Sequence, residues 1–556
     1  MRSNKKIVVR RSSRTSETED SVRCTFDLRE LENTLPERRI DLKLALSNLG
    51  LPKDWRCGRK RYRNGRRCIF HEESKDLREF VRQFLRELQG DEPDEGILDF
   101  TGAIFPSMVF YQEETPLTFR KVVSFVGARF GAAYFGQEAL VSFVQIEPLP
   151  GVKFQKQARF DCATFLHANF DRVTFSEGVS FDGTEFEVGA TFDGAQFQKE
   201  FEIASFDGTK FGGPAAFQNA VFQGTALFVS TEFQDSASFS GTIFRRVMFS
   251  YTAFQKDVSF EATVFQEVDF DPDRIGGKCR FVNSGFLGDS RFKSLETSVS
   301  SKIEFVGDIY TQRPDLKGFW QGCSQLQRDK LAKVWGVGLR RLDTAFEEGY
   351  LAMDMVSLLE TDAKDIRFLN VRWSQKQMLR SFNILKRTAV HDEMLLYEVP
   401  MASRNYGAVA RLYRELRHNY EQELRYPEAG DFYVGEMEMR RLQISRQHLS
   451  AWGWLRRNLL SPIAWYRNLG LYGESYALAA LWIIGTILLF AIPPMAFPQF
   501  ICQSSAPDSL DNPFIRSVLA FFQLRSVSAL DHAERILGAF LLGILFITLR
   551  RRLERH

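Results

Sequence analysis

The sequence predicts a mainly β-solenoid fold, followed by an α-helical juxtamembrane region and two C-terminal transmembrane helices. Phenylalanine recurs mostly every five or six residues from Phe154 to Phe270, a period that fits neither an α-helix nor a simple strand alternation. Two uncharged stretches near the C-terminus have the composition of membrane spans. With 556 residues the chain is long enough for several domains. We therefore expect a repeat domain in the middle of the chain and a membrane domain at its end.

A step of five residues can form one side of a square coil. Four such steps make a coil of about 20 residues, and stacked coils pair at the strand spacing of roughly 4.8 Å. The phenylalanine of each step points inward, and a small or β-branched residue two places earlier fills the space beside it. The rings then form a continuous core that one repeat could not bury alone. The predicted core ladder consists of Phe160, Phe165, Phe170, Phe175, Phe181, Phe186, Phe192, Phe197, Phe206, Phe211, Phe222, Phe233, Phe244, Phe254 and Phe265.

This pattern resembles the pentapeptide-repeat family, although phenylalanine almost wholly replaces the leucine that is usual there. The resemblance is close from Phe154 to Phe270 and implies a right-handed quadrilateral β-helix. Weaker phenylalanine spacing on both sides extends the predicted solenoid to residues 97–308, with a loop at Glu147–Gly151. An ordinary β-sandwich core is the alternative, but sandwich strands alternate at two residues rather than five.

A small N-terminal region at 23–96 contains candidate zinc ligands. Cys57, Cys68 and His71 follow the spacing Cys-x10-Cys-x2-His, and Cys24 could supply a fourth ligand. The Cys-Ile-Phe-His element is similar to one that precedes some archaeal pentapeptide-repeat chains. A structural zinc ion would pin a region that has little core of its own. Free cysteines in a basic loop are the alternative, and no other cofactor is predicted.

Charge is unevenly distributed along the chain. Residues 1–70 hold 19 Lys/Arg against 9 Asp/Glu, and 1–22 are expected to form a disordered basic tail. Residues 154–270 instead hold 8 Lys/Arg against 16 Asp/Glu. The basic run between the cysteines favours contact with anionic lipid headgroups over nucleic acid, and a solvated loop is the alternative. This run consists of Arg56, Arg59, Lys60, Arg61, Arg63, Arg66 and Arg67.

The predicted solenoid is followed by a mixed linking region at 309–399 and a juxtamembrane helical hairpin at 400–468. Within the linking region a helix is predicted over Asp343–Leu359. The hairpin is predicted to turn at Pro427–Gly430, with Asp431 capping its second helix.

The hairpin sequence YRELRHNYEQELRYPEAGDFYVGEMEMRR is similar to the juxtamembrane segment of bacterial and archaeal membrane proteins that join pentapeptide repeats to two C-terminal spans. That resemblance implies a topology but no activity. Glu436, Glu438, Arg440 and Arg441 are expected to form ion pairs on the helix surface.

The membrane domain is predicted at 469–556, with spans at about 475–494 and 533–550. Arginines flank these spans and place both termini in the cytoplasm of a multi-pass inner-membrane protein. The flanking residues are Arg456, Arg457, Arg467, Arg550, Arg551 and Arg552. A soluble helical hairpin is the alternative.

A re-entrant or interfacial segment at about 513–524 lies between the spans. The order of span, short apolar helix and span resembles the pore unit of two-span cation channels. A potassium filter needs a glycine-containing run of carbonyls, whereas residues 525–531 contain no glycine. The resemblance therefore extends only to a non-selective or degenerate pore, and a plain anchor is favoured.

The sequence contains no catalytic constellation, so we predict a non-enzymatic protein. The favoured function is a protein-interaction scaffold in which the cytoplasmic β-helix is held at the inner membrane. The alternatives are a two-span pore subunit gated by the repeats and a DNA-mimicking, topoisomerase-binding repeat protein. The predicted partners are the lipid bilayer, an unidentified protein and further copies of this chain.

Overall fold

The computed structural model describes residues 23–35, 39–49, 54–63, 66–88, 96–112, 115–136, 151–294, 302–307, 351–377, 386–400, 403–444, 461–496, 512–524 and 529–554. The chain divides into two compact units. The solenoid unit comprises Met1–Val356 and Ile366–Arg372, and the helical unit comprises Ser357–Asp365 and Trp373–His556. The predicted tail at 1–22 and residues 147–150 of the predicted loop lie outside the described residues.

The solenoid unit begins with helices α1 (Leu28–Thr34), α2 (Arg39–Asn48) and α3 (Leu77–Leu88). Short parallel strands follow, each paired with strands of neighbouring coils. One sheet runs through Ile97–Asp99, Val122–Ser124, Ala158–Arg159, Val179–Ser180, Ile203–Ser205, Val221–Leu227, Gln196–Phe197, Thr174–Phe175, Lys153–Phe154 and Thr118–Phe119, and continues into Ile243–Ser250, Val264–Asp271, Gly285–Phe286 and Ser290–Ser294.

A second sheet completes the solenoid. It runs through Arg274–Ile275, Ala253–Phe254, Glu232–Phe233, Lys210–Phe211, Glu185–Phe186, Thr164–Asn169, Ala190–Thr191, Ala215–Ala216, Ala237–Ser238, Val258–Ser259, Cys279–Val282, Ile303–Val306 and Arg367–Leu369, with Ile104–Phe105, Met108–Val109 and Arg129–Tyr134 attached. The small pairs are Tyr111–Gln112 with Thr115–Pro116 and Leu351–Ala352 with Val371–Arg372. Longer strands such as Val221–Leu227 pair with two separate strands, so each sheet bends around a corner and covers two faces.

The strand register places phenylalanine opposite phenylalanine in successive coils. Phe165 lies opposite Phe186, for example, and the rings of Phe160 and Phe181 stack with centroids 4.9 Å apart. Within the described residues the rings form four ladders, which confirms the predicted β-solenoid. They are Phe100–Phe125–Phe160–Phe181–Phe206–Phe228–Phe249, Phe105–Phe130–Phe165–Phe186–Phe211–Phe233–Phe254, Phe110–Phe135–Phe170–Phe192–Phe217–Phe239–Phe260–Phe281–Phe305–Phe368 and Phe119–Phe154–Phe175–Phe197–Phe222–Phe244–Phe265–Phe286.

Besides the four phenylalanine ladders, the corners of the solenoid contain a ladder of threonine hydroxyls. At Gly208 the backbone turns through a φ of 60°, a left-handed conformation that glycine adopts easily. The next residue, Thr209, donates from its hydroxyl to the Phe181 carbonyl one coil earlier, at 2.7 Å. The repeated Phe-Asp-Gly-Thr at 181–184 and 206–209 is the sequence signal for this ladder, which the five-residue period alone does not predict.

The helical unit contains α4 (His391–Glu398), α5 (Tyr406–Gln422), α6 (Tyr426–Ile444), α7 (Pro462–Gly470) with a 3₁₀ turn at Leu471–Gly473, α8 (Tyr476–Ala496), α9 (Pro513–Phe521) and α10 (Ala529–Glu554). Strands Ser374–Gln377 and Lys386–Ala389 form an antiparallel pair. A further strand, Val356–Thr361, starts at a residue assigned to the solenoid unit and continues through residues assigned to the helical unit.

The helix predicted over Asp343–Leu359 is wrong for the residues that the structure describes. Leu351–Ala352 and Val356–Thr361 are strands, and residues 343–350 lie outside the described ranges. Buried Val356 and Leu358 alternate with the half-buried Ser357, which is the two-residue period of a strand.

The hairpin turn predicted at Pro427–Gly430 is also wrong, because α6 already begins at Tyr426. The chain reverses at Leu424, which has a left-handed φ of 60°. Proline is tolerated in the first turn of a helix, where its missing N–H has no helical partner. Asp431 lies inside α6 and accepts a hydrogen bond from the Thr388 backbone N–H at 2.8 Å.

Helices occupy both predicted spans. Among the described residues, one helix is long and apolar enough to cross a membrane, over Asp531–Arg550 of α10, and 22 % of that stretch is buried. Pro462–Gly473 and Tyr476–Ile492 meet at a bend of 119° and together would make a second, broken span. The short helix α9 lies in the predicted re-entrant or interfacial segment.

Candidate metal centre

Four side chains that were predicted as metal ligands come together in the N-terminal region. One ligand atom from each of Cys24, Cys57, Cys68 and His71 lies within 4.8 Å of all the others. All four residues are buried, with between 1 % and 7 % of their surface exposed. The cluster therefore brings together residues that are up to 47 positions apart in the chain.

Backbone pairing positions the three thiols. The Cys57 N–H donates to the Phe26 carbonyl at 3.0 Å, which sets Cys57 beside the segment that begins at Cys24. The Cys68 N–H donates to the Cys24 sulfur at 3.1 Å. In the turn that follows, the His71 N–H donates to the Cys68 carbonyl at 3.1 Å and brings the imidazole to the same side.

The separations fit a tetrahedral metal ion. Metal–sulfur bonds of about 2.3 Å would place two tetrahedral thiolate ligands roughly 3.8 Å apart. The sulfurs of Cys57 and Cys68 are 3.7 Å apart, and His71 Nδ1 is 3.2 Å from the Cys68 sulfur and 3.5 Å from the Cys24 sulfur. A disulfide would need two sulfurs at about 2.05 Å. The cluster could therefore hold a metal ion.

The imidazole of His71 is oriented by a partner on its other side. Its Nε2 lies 2.9 Å from the Thr101 carbonyl, which can only accept, so Nε2 carries a proton. Its Nδ1 consequently faces the thiols, as in metal sites where the second ring nitrogen donates to a carbonyl. The ring of Phe26 stacks on the imidazole with centroids 4.1 Å apart.

The cluster shifts the pKa values of its members in different directions: hydrogen bonds with Cys24 and Cys57, together with burial, raise the pKa of Cys68. Hydrogen bonds from Cys57 and Cys68 stabilise the Cys24 thiolate and lower the pKa of Cys24. Burial alone would lower the pKa of His71, but its hydrogen bonds with Cys24 and Cys57 raise it to about 9. A thiolate is the form of cysteine that binds metal, so a cation placed here would meet a ligand that is already deprotonated.

Residues beside the ligands cover the first coil of the solenoid. A Cβ atom on Gly102 would lie 2.4 Å from the ring of Phe26, so only glycine leaves room for that ring. The indole N–H of Trp55 donates to the Asp99 carboxylate at 2.8 Å. The N-terminal region is therefore packed directly onto the start of the repeats.

Part of the basic run has a structural role in this region. The Arg59 guanidinium pairs with Glu87 at 2.6 Å and lies 4.8 Å above the ring of Phe70. Arg61 donates to the Arg23 carbonyl at 2.7 Å. The members of the run with exposed side chains are Arg56, Lys60, Arg63 and Arg66.

Part of the solenoid matches a known protein family. The family model described as pentapeptide repeats (nine copies) matches residues 152–201 and 206–253. These residues are pentapeptide repeats. No curated protein and no solved structure matches the chain. The metal centre lies outside the matched residues. The resemblance to membrane-anchored pentapeptide-repeat proteins with two C-terminal spans stays a prediction.

The carboxylates predicted to form surface ion pairs on α6 are buried instead. Glu436 is 1 % exposed and contacts Arg414 at 3.1 Å, Arg417 at 3.0 Å and Arg440. Glu438 is 6 % exposed. The two residues are two positions apart on a helix and therefore point in nearly opposite directions, so each is covered by a different part of the unit. The sequence alone shows charged residues but not the packing that covers them.

One predicted flanking arginine contacts the second of these carboxylates. Arg467 of α7 lies 2.7 Å from Glu438, and Tyr472 donates to Glu438 at 2.7 Å. Arg550 is exposed near the end of α10. Arg456 and Arg457 lie outside the described residues, as do the side chains of Arg551 and Arg552.

Proposed function

We propose that this chain is a non-enzymatic scaffold that presents its repeat solenoid as a protein-binding surface at the inner membrane. The filled interior carries this proposal. Phe160, Phe181 and Phe206 are fully buried and stack with centroid distances of 4.9 and 5.0 Å. Because the axis is occupied by rings, binding uses the extended outer faces, which is the usual mode of solenoid proteins.

The outer faces favour a basic partner. The repeats at 154–270 hold twice as many acidic as basic residues, and Glu187, Asp207 and Asp257 are among the exposed ones. Attraction between exposed charges is screened over about 8 Å at physiological salt. The complex is therefore expected to weaken as salt rises.

Photo-crosslinking in cells tests the scaffold. A photo-reactive amino acid replaces Val188 or Tyr251, which are 56 % and 68 % exposed on the solenoid, in the full-length chain. We expect a discrete adduct with one protein from at least one face, reduced when membranes are washed in high salt before irradiation. The fully buried Phe217 is the matched control position, where no adduct should form. Irradiation that yields no adduct from any outer face would contradict the scaffold.

Membrane anchoring through both predicted spans is the second part of the proposal. It is supported by the length and apolar character of α10 and by exposed apolar residues on α8, such as Leu481, Ile484 and Leu489. Flanking arginines favour cytoplasmic termini. Alkaline carbonate washing of membranes is the test, and release of the full-length chain into the supernatant would contradict insertion.

A pore subunit is the competing function, and one observation favours it. The hydroxyl of Ser517 on α9 lies 2.8 Å from the Ile487 carbonyl on α8 and also contacts Glu534 on α10, so the short helix is packed between the two long ones. Two spans cannot enclose a pore alone. Native mass spectrometry of the detergent-extracted chain distinguishes a pore subunit from a scaffold. A pore needs a ring of about four or more subunits, so a monomer or dimer excludes the pore.

We also propose that the metal centre holds a structural zinc ion. Three cysteines and one histidine form a closed four-ligand set, which is the composition of structural zinc sites. Zinc would supply a tetrahedral crosslink between the three segments that carry Cys24, Cys57 and the Cys68–His71 turn. Elemental analysis of the full-length chain, purified without chelator, should find one zinc per chain. His71→Ala should lose it, and Cys162→Ser, a buried cysteine outside the cluster, should keep it. A metal-free wild-type chain would contradict the proposal.

A further inference from the structure

We infer that the metal-held N-terminal region is a detachable cap, and that the solenoid end beneath it binds a second copy of this chain when the metal is removed. The inference rests on the proposed zinc site, because bound zinc would keep the end of the solenoid covered. It concerns residues 24–88 and the first coil of the repeats, all of which belong to the solenoid unit.

The first coil needs a cover because it is the end of a stack. Among the described strands, Ile97–Asp99 pairs with Val122–Ser124 of the next coil and with no other strand. Internal strands such as Val179–Ser180 have a partner on each side. An end coil therefore offers backbone groups and ring faces to whatever lies against it, which makes it a template for strand addition.

The N-terminal region satisfies this end through its backbone. The Ile104 N–H of the first coil donates to the Phe70 carbonyl at 2.7 Å. The Lys75 ammonium donates to the Ile104 carbonyl and to the Ile69 carbonyl, the latter at 3.0 Å. A lysine placed over a strand edge blocks further pairing there.

Aromatic side chains cover the ring faces. Phe80 and Phe84 of α3 lie with their centroids 5.5 and 5.7 Å from the first-coil rings Phe105 and Phe110, respectively. Phe70 lies 5.3 Å from Phe100. These contacts take the place that a preceding coil of rings would occupy in the ladders.

Several covering residues, although not Phe80 and Phe84 of α3, are attached close to a metal ligand. Phe26 is two residues from Cys24, Trp55 and Arg59 are each two residues from Cys57, and Phe70 lies between Cys68 and His71. The backbone pairing that joins these segments consists of isolated antiparallel bridges at Arg23–Lys60 and Asp27–Arg56 and of separate hydrogen bonds, such as the one from the Thr25 N–H to the Arg66 carbonyl at 3.0 Å. A crosslink through four side chains would add to this pairing and tie the three ligand-bearing segments together at one point.

A second copy of this chain is the occupant that fits the uncovered end. The uncapped coil presents Phe100, Phe105 and Phe110 at the spacing that stacks on an identical coil throughout the solenoid. The stacks inside the solenoid run head to tail, whereas two uncapped ends would meet face to face about a two-fold axis, which closes the assembly at a dimer of the starting species. Another protein would have to reproduce the same four-sided surface.

The experiment uses the full-length chain in detergent, first loaded with zinc and then stripped with a zinc chelator. Native mass spectrometry should show the mass of the loaded species doubling after stripping and returning when zinc is added back. Hydrogen exchange should show loss of protection within 97–135 in stripped protein at concentrations too low to dimerise.

Ligand variants keep the test independent of the chelator. His71→Ala should double in mass without treatment, whereas His71→Cys keeps four ligands and should behave as the loaded wild type. Cys162→Ser should also match the loaded wild type. If zinc is present and its removal leaves both the mass and the protection of 97–135 unchanged, the cap inference fails while the zinc site stands. If no zinc is bound at all, the proposed zinc site itself fails.

Discussion

At the scale of single residues, threonines of the solenoid differ in what their hydroxyls contact. Thr209 is fully buried and donates to the Phe181 carbonyl, whereas Thr191 Oγ1 is buried with no hydrogen-bond partner among the described residues. Thr209→Val should therefore lower the local unfolding free energy by about 1 kcal/mol or more, since it leaves a buried carbonyl with one partner fewer. Thr191→Val should cost nothing and can stabilise the coil. Hydrogen exchange of the neighbouring amides measures both, and equal effects would contradict the threonine ladder.

A buried ion pair in the helical unit gives a pH dependence. Glu393 is 1 % exposed and contacts Arg387 and, at 2.6 Å, Lys376. Burial alone would raise the pKa of Glu393, but these two cations hold it below its ordinary value. Because the folded pKa is lowered, the stabilisation is present above the unfolded pKa, near 4.5, and is lost as pH falls through the folded pKa.

Removing this carboxylate should leave Arg387 buried without its charge partner. Glu393→Ala is expected to destabilise the helical unit by about 3–5 kcal/mol at neutral pH, and to flatten the loss of stability below pH 4.5. Glu421→Ala removes a partly exposed partner of Arg417, 3.7 Å away, and should cost less than about 1 kcal/mol. Urea denaturation at several pH values, followed through hydrogen exchange of α4 and α5, provides the comparison.

At the scale of elements, a coil is stable only through its neighbours. Phe206 is fully buried and stacks on Phe181 and Phe228, with centroids 5.0 and 4.8 Å away. Phe206→Ala should cost about 3–5 kcal/mol because it leaves a cavity between two rigid coils. Phe206→Leu should cost about 1.5 kcal/mol or less, because leucine is the usual residue at such positions in pentapeptide repeats and fills much of the space.

The position of the damage distinguishes a ladder from an ordinary core. Because each coil contacts only adjacent coils, Phe206→Ala should reduce exchange protection in the coils that contain Phe181 and Phe228. The coil that contains Phe125 should keep its protection. Uniform loss of protection along the whole solenoid would show that the repeats unfold as one cooperative body instead.

The elements differ in how well the sequence predicts them. The solenoid is predictable because its signal, one ring for each side of a coil, repeats many times and averages out local exceptions. The turn of the hairpin is not, because Pro427 is compatible with either a loop or the first turn of a helix, and packing decides between them. The strand at Val356–Thr361 is similarly ambiguous, since short apolar runs fit both helical and strand periods.

The ligand residues of the metal centre can be recognised in the sequence, but the groups that orient those ligands cannot. Cys24, Cys57, Cys68 and His71 have suitable chemistry at any spacing that a fold can close. The Thr101 carbonyl that orients His71 is a backbone atom, and no residue type signals it. Burial of Glu436 and Glu438 is hidden for a related reason, because charged helix residues are solvated far more often than buried.

At the scale of the whole molecule, the membrane topology remains to be tested, and the chain carries its own probe. Cys502 lies between the two predicted spans, so cytoplasmic termini place it on the opposite side of the membrane. Cys24, Cys57, Cys68, Cys162 and Cys279 are buried, and Cys323 precedes both spans.

A membrane-impermeant maleimide added to cells with a permeabilised outer envelope and an intact inner membrane should therefore attach one label. Cys502→Ser should abolish that label and Cys323→Ser should preserve it. Labelling that appears only after the inner membrane is opened would contradict the two-span topology and restore the soluble helical hairpin.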